Sequence, residues 1–475
     1  MFSNGARTPR TAAALIGAAF LVCACSTLPS ERPEDPALPS AWRDAPIGAD
    51  QSVAQWWEGF DDPFLDALVE EALVEGPNVR LAVLRVREAR ALSRTALSQY
   101  LPELTLQASG NYSDTLDPPG GEDTMTGSYG PAVSWEIPLF ARAEAAVVGA
   151  RANTASARAD LRAAQVALAA DVAQAYVDYR AARESYVALE EQVGAAAQLA
   201  DILEVSAQAG IASDADAADA RRLAESSRAR LPSLVIERRR AENVLAVLRG
   251  HAPGTESEAV AAALSEDAPV PSLALSAAPA APADMLRLRP DVARAEAQAL
   301  LAAADLGNAR ADLLPRLNLT GSLNVTDNLI GSSLSERGVT VSATPFISIP
   351  LFDWGTRLAQ IRVRDSRFEQ SLISYQQTVL QAVSEASGAL TALDQGSRRL
   401  TAARAAEQAA ERTARGARAA YEAGIQSLAD RLRADQQLID ARLTRVDAEA
   451  AQASAAIAVY RAFGGGPAVP VAEQH

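Results

Sequence analysis

The sequence predicts a mixed α/β membrane chain made of two internal repeats, each with two β-strands followed by a long α-helical hairpin. Three observations predict it. Motifs recur in one order at an offset of about 213 residues. Four segments alternate apolar and polar residues with a period of two. Two long stretches, 139–231 and 351–466, contain no proline.

The chain opens on an export address. Arg7 and Arg10 precede an apolar run of 12 residues at 11–22. That is shorter than the roughly 20 residues a membrane-spanning helix needs. The run ends in Val22-Cys23-Ala24-Cys25-Ser26, which resembles a bacterial lipobox. Ala24 is small, so Cys25 fits the acylated position, whereas Val22 before Cys23 fits poorly. Residues 1–24 are the expected signal peptide and 25–55 a lipidated linker. Ser26 stands where inner-membrane retention uses Asp, which implies outer-membrane sorting. No later segment is long and apolar enough for a spanning helix.

The first repeat is expected at 56–250 and the second at 284–466, with a Pro/Ala-rich connector at 251–283 and a tail at 467–475. Gly76-Pro77-Asn78-Val79 opens a helical pattern that closes at Leu101-Pro102-Glu103-Leu104. Arg289-Pro290-Asp291-Val292 opens another, closing at Leu314-Pro315-Arg316-Leu317. Ile137-Pro138-Leu139-Phe140 returns as Ile349-Pro350-Leu351-Phe352, and Ala209-Gly210-Ile211 as Ala423-Gly424-Ile425. Strands are expected at about 103–113, 129–138, 316–326 and 339–349. Leu317, Leu319, Leu323 and Val325 alternate with Asn318, Thr320, Ser322 and Asn324. Such strands match a tilted bilayer crossing, apolar outward and polar inward. A half-buried soluble sheet alternates in the same way; the anchor at Cys25 favours the barrel. Four strands cannot close a membrane barrel, since the smallest has about eight, so copies must combine. Two copies would give eight strands and three would give twelve. The loops at 114–128 and 328–337 separate the strand pairs.

The proline-free runs predict helices at about 142–207 and 354–421, each roughly 100 Å long. Leu161, Leu168, Val172, Ala175 and Tyr179 mark a buried stripe. Gly210 and Gly424 reverse the chain. Pro232 should break the first returning helix, and the second has no counterpart.

Composition excludes several functions. The formal charge is −15, and every basic side chain is Arg, which argues against nucleic acid as partner. The histidines, His251 and His475, lie far apart, and both cysteines sit in the first 25 residues. No metal-spaced cluster, nucleophile–base pair or phosphate loop is visible in the sequence. An enzyme, a metal site and a cofactor are therefore not expected.

These matched segments resemble the outer-membrane factor family, the TolC-like channels, in the NodT-type lipoprotein branch of efflux systems. The most specific stretch is Leu286-Arg287-Leu288-Arg289-Pro290-Asp291-Val292-Ala293-Arg294-Ala295-Glu296. Trp56-Trp57 with Phe60 and Asp62-Pro63 resembles the family's opening, and Ala462-Phe463-Gly464-Gly465-Gly466 its close. Leu288 departs from the family's usual Arg. The resemblance implies a homotrimer with a 12-stranded outer-membrane barrel continued by a periplasmic α-helical barrel. It implies a periplasmic adaptor and an inner-membrane pump, most often of the RND type, as partners. The chain would be a passive conduit for small molecules, held to outer-membrane lipid through Cys25. An ABC-type protein secretion channel and a lipid-anchored periplasmic scaffold are the other readings the sequence leaves open.

The hairpin turns carry the candidate site. Asp214, Asp216 and Asp219 follow Gly210, and Asp430 follows Gly424. Asp216 and Asp430 are equivalent positions, and in an oligomer each becomes a ring of carboxylates. The resemblance places Asp430 at the periplasmic entrance and gives Tyr421 a part in holding it shut. Gln426 and Arg433 replace the family's arginine and second aspartate, which puts its salt-bridge lock in doubt. Acids here also suit a helix N-terminus. Gly210, Ile211, Ser213, Gly424, Ile425 and Ser427 are the expected adaptor contacts.

Overall fold

The computed structural model describes residues 27–31, 33–42, 54–113, 124–139, 142–255, 257–273, 282–328 and 338–465. Cys25, the signal peptide and the C-terminal tail lie outside them. In chain order the elements are α1 (Pro63–Glu75), α2 (Pro77–Ser98), β1 (Glu103–Ser113), β2 (Thr124–Ile137), α3 (Arg142–Gln208), α4 (Asp214–Arg228) and α5 (Leu231–Leu248). They continue as α6 (Glu258–Ser265), α7 (Pro282–Leu288), α8 (Pro290–Ala311), β3 (Arg316–Asn328), β4 (Gly338–Ser348), α9 (Thr356–Glu422) and α10 (Leu428–Ala462). A 3₁₀ turn at Trp56–Phe60 precedes α1. No described helix is long and apolar enough to cross a membrane.

The chain forms two compact units, and each draws on both repeats. One comprises 1–34, 85–158 and 294–377; the other comprises 35–84, 159–293 and 378–475.

The first unit holds an antiparallel sheet in the order β1-β2-β3-β4. Its register puts Leu104 beside Val133, Trp135 beside Leu319, Leu317 beside Ile347 and Leu323 beside Val341. Cross-strand partners share a face, so these residues make one continuous apolar face. The opposite face carries the polar set: Ser109 bonds Ser128 at 2.8 Å and Ser322 bonds Ser342 at 2.9 Å. Phe346 is the exception, in the polar row with Asn318 and Glu136. Away from the helix end this apolar face is open among the described residues, with Leu106 82% exposed and Val341 74%, while Trp135 at its helix end is half-buried and donates to the Tyr100 carbonyl at 2.9 Å. At Gly130 the β2 and β3 backbones come so close that a Cβ would stand 1.7 Å from the Leu323 carbonyl oxygen. Glycine is required there, and the neighbouring Pro131 donates no ladder bond. Under the strand ends Arg142 bonds Asp312 at 2.9 Å, and Asp312 also takes Arg316 at 2.7 Å. Ala303, Leu306 and Phe368 pack α8 on α9. The residues just behind Cys25 are docked: Arg310 donates to the Thr27 carbonyl at 3.4 Å, and Leu28 packs over Gly307.

The second unit is helical. The expected stripe of α3, Leu161 to Tyr179, is buried at all five positions. Trp56 stacks on Tyr460 with ring centroids 5.2 Å apart, so the opening motif meets the end of α10 just before the closing one. Arg289, in the most specific motif, is buried and donates to Asp291, to Glu385 at 2.7 Å and to the Ala462 carbonyl at 2.6 Å. The break before Pro232 is present: α4 stops at Arg228 and α5 restarts at Leu231, whereas α10 runs unbroken for 35 residues.

Two boundaries differ from the sequence reading. β2 begins at Thr124 rather than near 129, because Thr124 to Ser128 pair with Ser113 to Ser109. The connector is also partly helical. Ser257 caps α6, and side chains of α3 hold its carbonyl end: Tyr179 bonds Leu264 O at 2.7 Å and Arg180 bonds Glu266 O at 2.7 Å.

Candidate functional site: the two hairpin tips

Both tips lie in the second unit and are built from the same atoms. α3 ends in a Schellman turn, with Ile211 N–H donating to Ser206 O at 2.8 Å and Gly210 N–H to Ala207 O at 2.8 Å. α9 ends likewise, Ile425 donating to Ala420 O at 2.8 Å and Gly424 to Tyr421 O at 2.9 Å. Gly210 has φ +71° and Gly424 +73°, the left-handed conformation this turn demands. Each returning helix then starts on a serine N-cap. The Ser213 hydroxyl accepts from Asp216 N–H at 3.1 Å, and Ser427 from Asp430 N–H at 3.2 Å.

Asp216 and Asp430 therefore occupy the third helical position, where a carboxylate suits both cap and macrodipole. At the second tip the cap is reciprocal, since the Ser427 hydroxyl donates to Asp430 at 2.7 Å. That hydrogen bond, followed by Arg433 at 2.9 Å, holds the Asp430 carboxyl below the usual carboxylate range. Arg433 thus pairs within its own helix. Asp214 and Asp219 are exposed, and Asp219 meets Arg222 at 3.4 Å. Ile211 is 83% exposed and Ile425 78%.

The two hairpins are joined behind the tips by Leu199, Leu203, Leu223, Leu428 and Leu432, with Tyr421 packed against the cluster. The Arg431 guanidinium lies over the Tyr421 ring, 5.3 Å from its centroid. Beside it sits a group the sequence reading missed. Asp435 is buried; Arg418 of α9 donates to it at 2.8 Å, and Arg431 lies 3.7 Å away. The signal was available, because Asp435 interrupts the stripe Leu428, Leu432, Leu438 at helical spacing. A carboxylate in such a stripe needs a partner from the facing helix.

The fold also brings together the Oε and ring-nitrogen atoms of Glu71, Glu75 and His251 to within 4.8 Å of one another.

A sheet with one largely exposed apolar face, on a chain of long paired helices, fits one class: outer-membrane channels that continue into helical hairpins. The outer membrane efflux protein profile matches residues 68–251 and again 281–465, once per repeat. The chain belongs to that family. The pyoverdine export outer membrane protein OpmQ of Pseudomonas aeruginosa is 29% identical, over 95% of this chain and 96% of its own. Nodulation protein T of Rhizobium leguminosarum bv. trifolii is 26% identical over 88% of this chain and 90% of its own. The solved outer-membrane channel OprN superposes with a TM-score of 0.83 at 28% identity, covering 93% of this chain and 99% of that one. This chain is an efflux channel of the Gram-negative outer membrane.

Proposed function

We propose that three copies of the chain assemble one conduit, a 12-stranded barrel continued by the paired helices, through which exported small molecules leave without chemistry. The observation that supports it most is the sheet. It has one apolar and one polar face, and its outer strands β1 and β4 each have a neighbour on one side only. In hydrocarbon such edges must be paired, and closure with other copies does so. Acyl chains on Cys25 would hold the assembly to the membrane. An RND-type pump and a periplasmic adaptor would deliver the cargo, the adaptor docking on Gly210, Ile211, Ser213, Gly424, Ile425 and Ser427. Exposed isoleucines at the tips give that docking its apolar contact.

The test is the oligomeric state and single-channel conductance of the detergent-extracted mature protein. A conducting trimer is expected; a monomer or dimer that never conducts would overturn the assembly. In the trimer Asp216 and Asp430 would ring the entrance with carboxylates, and Asp430→Ala should lower cation preference and block by divalent cations. Unchanged selectivity would mean that Asp430 only caps its helix. Gly424→Trp should abolish efflux with normal trimer yield, and full efflux would remove the tip from the docking surface.

A further inference from the structure

We propose that Glu71, Glu75 and His251 form a binding site for one divalent transition-metal ion of the zinc and copper class. Nothing in the conduit reading uses these residues.

The site forms where two helices end against each other. Glu71 and Glu75 are one turn apart on α1 and share its face. α1 stops at Gly76, and α5 stops at Leu248, after which Gly250 at φ +86° turns His251 back. Both glycines make the approach possible. A Cβ on Gly76 would stand 3.1 Å from Leu248 O, and one on Gly250 would stand 3.2 Å from Glu75 O. The C-termini of α1 and α5 therefore converge, each with about half a unit of negative charge, one of them offset by the N-terminus of α2 at Pro77. Two carboxylates add to that field. Arg249, buried and bonded to both Glu71 oxygens at 2.8 and 2.9 Å, faces them together with the His251 ring, so one guanidinium and one imidazole stand against two carboxylates. The balance favours a further cation.

The donors suit a borderline metal. The His251 Nε2 atom lies 2.9 Å from Glu71 Oε1, and all three donor atoms lie within 4.8 Å of one another. Ligands around tetrahedral zinc stand about 3.4 Å apart, so the exposed Glu75 side chain needs only a rotation to close the set. An imidazole with two carboxylates suits zinc or copper and disfavours calcium or magnesium, which take oxygen alone. Arg249 would act as the outer partner that fixes the Glu71 carboxylate. Burial pushes that carboxyl up, but the hydrogen bonds and charges of Arg249 and His251 together outweigh it and hold it below its ordinary range.

The chain has only two histidines, His251 and His475, which makes the test clean. The mature full-length protein in detergent is titrated with Cu²⁺ and followed by electron paramagnetic resonance. One ion per chain is expected, with hyperfine splitting from a single imidazole nitrogen. The signal should vanish in His251→Ala and persist in His475→Ala. Glu75→Gln, an exposed change that leaves the fold intact, should weaken binding at least tenfold. Zn²⁺ should raise the melting temperature of the wild type by several degrees and leave that of His251→Ala unchanged. Binding that survives His251→Ala, follows His475 or appears only above millimolar copper would overturn the site.

Discussion

Replacing Arg289 with methionine tests whether the most specific motif of the chain is a structural clasp. The guanidinium is 7% exposed and makes four hydrogen bonds: two to Asp291 at 3.0 and 2.6 Å, one to Glu385 and one to Ala462 O. Burial pushes the Arg289 guanidinium down, but its bonds to Asp291 and Glu385 outweigh that and hold its pKa above the ordinary arginine value. Methionine keeps much of the volume and removes every donor. Breaking one side of a buried ion pair costs about 3–5 kcal/mol. Here Asp291 is one-third exposed and Glu385 nearly half, so water reaches both after the change. The loss should fall at the low end, about 3 kcal/mol. Arg289→Lys keeps the charge without the fork and should cost about half as much, near 1.5 kcal/mol. The assay is guanidinium unfolding of the solubilised protein, read by tryptophan fluorescence, since Trp56 and Trp57 are buried in the same unit. Combined with Asp291→Asn, a double-mutant cycle should return a coupling of at least about 1 kcal/mol. Additive losses, or a methionine variant within 1 kcal/mol of the parent on the same scale, would refute the clasp.

Three further outcomes are expected. Asp435→Ala leaves Arg418 and Arg431 facing each other and should cost about 2 kcal/mol; trypsin should then cut the α9–α10 tip faster, while equal cleavage would deny the contact a role. Gly130→Val should remove strand signal from the circular dichroism spectrum and abolish the assembled channel, because β2 and β3 would have to part by about 1.8 Å to reach ordinary contact; normal assembly would show that the sheet yields there. Acid should weaken the second unit in a defined direction. For both Asp291 and Glu71 burial pushes the carboxyl up, but Arg289 beside Asp291, and Arg249 with His251 beside Glu71, outweigh it and hold the two below their ordinary values. The stability they give is complete above about pH 5 and lost as pH falls through the lowered values. Arg289→Met should flatten that acid limb, and an unchanged limb would contradict the pairing.

Local periodicity made most of this fold legible. Proline-free runs and an apolar stripe gave α3 and α9 to within two residues, since each residue of a long helix repeats the same evidence. The proline break before α5 was equally plain. Irregular segments were harder. Gly127 and Ser128 read as loop, yet cross-strand pairing carries them into β2. The Pro/Ala-rich connector hid α6, whose place depends on α3 side chains some 85 residues earlier. The tips were found through their glycines and aspartates. Asp435 was overlooked because its partner Arg418 lies on the other helix. Glu71 and His251 are 180 residues apart, so no spacing rule joins them; only the meeting of two helix ends does.

The open edges of the sheet bear on biogenesis. β1 and β4 each turn one side of an eleven-residue backbone outward. The helices satisfy their own hydrogen bonds within one chain, but in the proposed trimer these strands would complete theirs with another copy. Folding of the membrane part would then be a concentration-dependent reaction, whereas folding of the helical unit would not. A freshly exported chain would wait with its helices formed and its strands unfinished. Its maturation rate would rise with the density of sister chains at the bilayer, and a scarce or slowly exported chain would meet proteases in that waiting form.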